Sequence, residues 1–92
     1  MTLKHFGEPL ATHLEKNLML QHGPIVSNQT LSELLGYPSR DAFRQAISRG
    51  TIPIPIFDIE NRKGKFALIT DVAAWLADQR ERAVARSDAG KT

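Results

Sequence analysis

The sequence predicts a mostly helical α+β domain: a winged helix-turn-helix with a β-hairpin wing and an added helix at each end. Three observations predict it. Apolar residues recur at helical spacing in four separate stretches. The turn "GYPS" joins the second and third of them, and the β-branched run "TIPIPIF" breaks the spacing just before a basic turn.

Taken in order, Pro9 suits the first turn of a helix. Leu10, Leu14, Leu18 and Met19 follow at helical spacing until Gly23-Pro24 ends the run, which predicts a first helix near residues 8–21. Ser27 is a good N-cap for a second helix with a Leu31, Leu34 and Leu35 stripe, and Gly36 stands where a left-handed residue would close it. Pro38 forbids continuation and Ser39 is a second N-cap, opening a third helix over residues 40–49. Helix, tight turn, helix is the spacing of a helix-turn-helix. "TIPIPIFDI" and "KFALI" read as two strands joined by the turn "ENRKG", with the prolines at a strand start or edge. Thr70-Asp71 caps a last helix in which Val72, Trp75, Leu76 and Gln79 keep helical spacing. The fold is expected over residues 1–86, and residues 87–92, which carry nothing apolar beyond alanine, read as a flexible tail.

The composition narrows the function. The chain has 92 residues, 41% hydrophobic and 24% charged, as an ordinary folded domain has. No apolar run approaches the length of a membrane span, and the start "MTLKHFGEPLATHLEK" lacks a signal sequence, so a cytoplasmic location and no membrane partner are expected. With no cysteine there are no disulfides and no thiolate metal sites. Net charge is only +2, but residues 39–65 hold six cations against three acids, a local +3. A basic middle on a near-neutral chain fits a nucleic-acid footprint, and solvated surface charge would look the same.

Within the third helix, Phe43, Ala46 and Ile47 share one side at 100° per residue and face the core. Asp41, Arg44, Gln45 and Ser48 fall opposite, with Ser39 and Arg40 at the start and Arg49 at the end. Arg and Gln suit base-edge reading because each forms a bidentate hydrogen bond, Arg with guanine and Gln with adenine. Any solvated helix face would also carry charges. The wing turn sets Asn61, Arg62, Lys63 and Lys65 at the tip of the hairpin, where cations reach phosphates without regard to sequence. Catalysis is poorly supported. His5, His13 and His22 are expected to be solvated; the acids form no spaced pair with a base, and no glycine-rich phosphate loop is present. No cofactor, metal or small-molecule ligand is expected. Trp75 is expected in the core, while Tyr37 is open between packing and phosphate contact.

The same residues carry a resemblance. "SNQTLSELLGYPSRDAFRQAISRGTIP" resembles the excisionase and MerR-type pattern, and "LMLQHGPI", "GTIPIPIF" and "ITDVAAWLADQRERAV" are similar to the pyocin-activator (PrtN-like) family, together over roughly residues 14–85. The resemblance implies a winged helix-turn-helix on double-stranded DNA in a mobile genetic element. Its first implied role is a recombination directionality factor, which binds repeated sites cooperatively, bends the DNA and helps a tyrosine-recombinase integrase excise its element. Transcriptional activation is the alternative. A protein-interaction adaptor or anti-repressor that leaves DNA alone is a third reading, from another class. The mild charge departs from the pattern and argues against tight binding by one protomer. A dimer or head-to-tail oligomer is therefore expected, with the apolar stripes of the two flanking helices as spare surface.

Overall fold

Helix ends in this chain are set by a few residues whose backbone preferences leave little choice. The computed structural model describes residues 9–91; Glu8 and His5, which the sequence places in or before the first helix, lie outside the described residues. Pro9, at φ −61°, precedes α1 (Leu10–His22), and its carbonyl accepts from the His13 N–H. Gly23, at φ 83°, ends α1 with its N–H on the Met19 carbonyl. A short strand β1 (Ile25–Ser27) leads directly into α2 (Asn28–Leu34).

The turn between α2 and α3 (Arg40–Arg49) is closed at both ends by local chemistry. Gly36, at φ 86°, donates to Glu33, and Tyr37 donates to Ser32, so the two orphan carbonyls of α2 are satisfied in the paired pattern that a left-handed glycine permits. Ser39 Oγ then accepts from the Ala42 N–H at 3.1 Å and starts α3. At the far end, Gly50 and Thr51 repeat the closing pattern on Ile47 and Ala46.

The wing differs from the predicted hairpin. The second predicted strand is present as β2 (Phe66–Leu68), but its ladder partner is β1, antiparallel, with Ile25 opposite Leu68, Val26 opposite Ala67 and Ser27 opposite Phe66. The sequence reading assigned no strand to residues 25–27. The first predicted strand contributes one pair of reciprocal hydrogen bonds, each 2.9 Å, between Phe57 and Phe66. The prolines explain this. Pro53 and Pro55 have no N–H to give a ladder, so pairing begins only after them. The Ile-Pro alternation nevertheless serves the fold: Ile54 is buried, Ile52 and Ile56 are half-buried, and both prolines are exposed. Each proline also disfavours helical backbone at the isoleucine before it.

The remaining helix, α4, runs Ile69–Lys91. It starts earlier than the predicted Thr70-Asp71 cap, because Leu68 passes straight from β2 and the Ile69 N–H is already held by the Pro24 carbonyl at 2.8 Å. It also continues through residues 87–91, where the sequence predicts a tail, although Gly90 is a poor helix former. Val26, Leu31, Leu35, Phe43, Ile54, Ala67, Ile69 and Val72 form the core, with Leu31, Ile69 and Val72 fully buried. Each of those three stabilises the fold by about 1.5–3 kcal/mol. Trp75 and Tyr37 are half-buried against this core, and the Tyr37 ring lies 5.5 Å from that of Phe43, so Tyr37 is a packing residue.

Helices α1 and α4 pack on one another, and the Thr70 hydroxyl donates to Glu15 at 2.6 Å across that contact. Of the stripe residues Val72 is buried, Leu10, Leu14, Leu18, Trp75 and Leu76 are half-buried and Met19 is exposed, so this packing covers the stripes in part. Leu20, 86% exposed, stands outside it.

Candidate nucleic-acid interface

Helix α3 separates its residues cleanly. Phe43 and Ala46 are buried, Ala42 and Ile47 half-buried, and Arg40, Asp41, Arg44, Gln45, Ser48 and Arg49 exposed. At about 100° per residue, the six exposed positions share one half of the helix circumference. Phe43 and Ala46 anchor the opposite side, so the orientation of this polar half is fixed by burial and not by its own charges.

Within it the residues play unequal parts. Arg44 Nη2 lies 2.6 Å from Asp41 Oδ1, one helical turn back, with both side chains about three-quarters exposed. Asp41, expected among the recognition residues, is thus engaged by Arg44, and as a first-turn acid it also suits the positive end of the helix. Ser39 uses its hydroxyl as the cap acceptor. Arg40, Gln45 and Arg49 are exposed and, among the described residues, make no ion pair or side-chain hydrogen bond.

The wing tip is a tight turn. Arg62 N–H donates to the Ile59 carbonyl at 2.9 Å, and Asn61 sits at φ 63°, a left-handed conformation that asparagine tolerates. Arg62 and Lys63 are exposed. Lys65 is less free: it is half-buried, and its Nζ lies 2.9 Å from Asp58 Oδ1 across the base of the loop. Gly64, at φ 99°, lets the returning strand pass against Asn28 at the start of α2.

A hollow of about 900 Å³ joins the two basic elements. Arg40 and Arg44 line it from α3, Lys65 from the wing, and Gln29 and Glu33 from α2, with Tyr37 and Phe43 at its apolar side. The α2 residues escaped the sequence reading, as did Asp58. A polar face on α2 was legible in Gln29 and Glu33, four apart and hydrogen-bonded at 3.0 Å, but nothing local said that the wing would close over it.

His13 and His22 are exposed on α1. Among the described residues no three metal-binding side chains come together, and no helix is long and apolar enough to cross a membrane.

The sequence profile of a family described as pyocin activator protein PrtN matches residues 16–83, from the second turn of α1 well into α4, and so spans α3, the wing and the hollow between them. No curated protein and no solved structure matches the chain.

Proposed function

Because the chain belongs to the pyocin activator protein PrtN family, we propose that it is a DNA-binding activator of transcription. The observation that carries the DNA half of the reading is the meeting of two basic elements at one hollow, where Arg40 and Arg44 of α3 face Lys65 of the wing. The major groove admits an α-helix, and the exposed half of α3 offers Arg44 and Gln45 as base-edge donors, with Ser48 beside them. Arg40, Arg49, Arg62 and Lys63 then lie where phosphates flank the groove, and they supply affinity without sequence preference.

One helix and one wing bury about 600–1,000 Å² on DNA, the range of single modules, so useful selectivity calls for adjacent copies of the chain on neighbouring sites. The net charge of +2 argues the same way.

Excision, set first by the sequence reading, shares the DNA contacts and differs in its partner, a tyrosine-recombinase integrase. The family match reverses that order, because its name is that of an activator. An adaptor that leaves DNA alone has no use for cations on both α3 and the wing.

The test is selection of duplexes from a random pool, followed by gel shift on the winner and by run-off transcription from a promoter carrying it. An enriched site and increased transcript support the proposal. Enrichment with no effect on transcript, but excision in the presence of an integrase, moves the chain to the second role. No enrichment at any salt concentration rejects DNA binding.

A further inference from the structure

We propose that Asp41 and Asp58 are specificity-determining residues of the α3–wing face, each restraining one of its cations and so suppressing attraction to DNA of arbitrary sequence. The inference rests on the DNA-binding reading above. Helix α3 and the wing carry six cations, Arg40, Arg44, Arg49, Arg62, Lys63 and Lys65, of which Arg40, Arg44 and Lys65 line the hollow between them. Two of them are paired with acids, Arg44 with Asp41 at 2.6 Å and Lys65 with Asp58 at 2.9 Å. Among the described residues the other four have no acid partner.

These pairs are poorly explained as stabilising contacts. The Asp41–Arg44 side chains are 74–76% exposed, and in the second pair Asp58 is 71% and Lys65 39% exposed; ion pairs with at least one partner so open to water contribute little to folding. On a face that meets a polyanion, each carboxylate also repels every phosphate within about a Debye length, roughly 10 Å at 0.1 M salt. That penalty is the same for every DNA sequence.

The benefit is not uniform. Asp41 engages one nitrogen of the Arg44 guanidinium and sets its direction from the helix below. The remaining N–H donors stay available to a base edge, and a fork already held in place loses less freedom when guanine O6 and N7 are present. Asp58 works at the other element. By tying Lys65 to the base of the loop, it leaves Arg62 and Lys63 as the mobile phosphate contacts and keeps the cation nearest the hollow from acting as a third. Both acids therefore cost affinity everywhere, and Asp41 returns some of it only at the right base.

The experiment uses the full chain with Asp41→Asn and Asp58→Asn, singly. Binding is measured by fluorescence anisotropy on a duplex selected from a random pool and on a scrambled duplex of equal length, from 50 to 200 mM salt. Each change should raise affinity for the scrambled duplex about three- to tenfold at the low end. It should steepen the log K versus log salt slope by about 0.9, one added phosphate contact. The ratio of selected to scrambled affinity should fall, more for Asp41→Asn. An unchanged slope and ratio would overturn the proposal. So would an equal loss on both duplexes with a lower melting temperature, which would make Asp41 simply a helix-start acid. A wild-type chain that binds neither duplex overturns the DNA reading itself, and that result is distinct from either of these.

Discussion

Gly64 and Asn28 fit so closely that a side chain added at residue 64 would displace the Asn28 amide. The Gly64 backbone, at φ 99°, passes so near the Asn28 side chain that a Cβ on residue 64 would stand 2.9 Å from its Nδ2 and nearer still to Oδ1. Asn28 itself has φ 48°, and its N–H faces the Lys65 carbonyl at 3.4 Å. The wing is therefore held against the first turn of α2 as well as by its short strand. Gly64→Ala should destabilise the fold by about 1–3 kcal/mol, chiefly through the left-handed strain, since the exposed Asn28 amide can swing aside at smaller cost. Denaturant unfolding measures it. Adding Asn28→Gly removes the collision and should recover part of the loss, whereas simple additivity of the two changes would show that they do not meet.

On DNA, Arg44→Ala should lower affinity for the selected site by about 1–3 kcal/mol and relax one base position. The loss should exceed that on scrambled duplex, because only the selected site offers the base edge that Arg44 reads, whereas the uncovered Asp41 repels the phosphates of both duplexes alike. Equal loss on both duplexes would place Arg44 on the backbone.

The wing should act without regard to sequence. Arg62→Ala with Lys63→Ala should reduce the magnitude of the salt slope by about 2, at roughly 0.9 per contact, on selected and scrambled DNA alike. Lys65→Ala should change it less, because Lys65 is half-buried and already paired with Asp58. A slope untouched by the double change would mean that the wing points away from the duplex.

Thr70→Val should leave DNA binding intact and cost about 0.5–1.5 kcal/mol of stability. It removes the hydroxyl that donates to Glu15 and so loosens α1 from α4. Thermal melting reads the loss, and gel shift on the same sample checks that α3 is unaffected. An unchanged melting temperature would show that apolar packing alone holds the two helices.

Cooperation between copies is tested by titrating DNA that carries one, two or three tandem sites, followed by sedimentation. Stepwise complexes that form more tightly on longer arrays are expected. Identical affinity per site on one and three copies would leave a protein that acts as a monomer.

The sequence by itself determined the helices of the turn motif, the closure of α2, the start of α3 and its buried side. These follow from chemistry within a few residues: Gly36 at a left-handed closure, the Ser39 hydroxyl on the Ala42 N–H, and Phe43 and Ala46 one turn apart, whereas the Ser27 side chain, expected to cap α2, makes no cap hydrogen bond. It also singled out the cations of α3 and the wing. Strand partners and ion pairs were decided by the tertiary structure, because they join residues whose spacing carries no local signal. β1 finds β2 some forty residues later, and with Pro53 and Pro55 lacking N–H donors, the segment before the wing adds only the Phe57–Phe66 pair. Asp58 meets Lys65 only once the loop between them has turned, and Gly64 meets Asn28 only when the wing closes on α2. The flanking helices show the same limit. Periodicity reveals which side of each helix is apolar, while only the packed chain reveals that α1 and α4 lie against each other and leave these stripes half-buried.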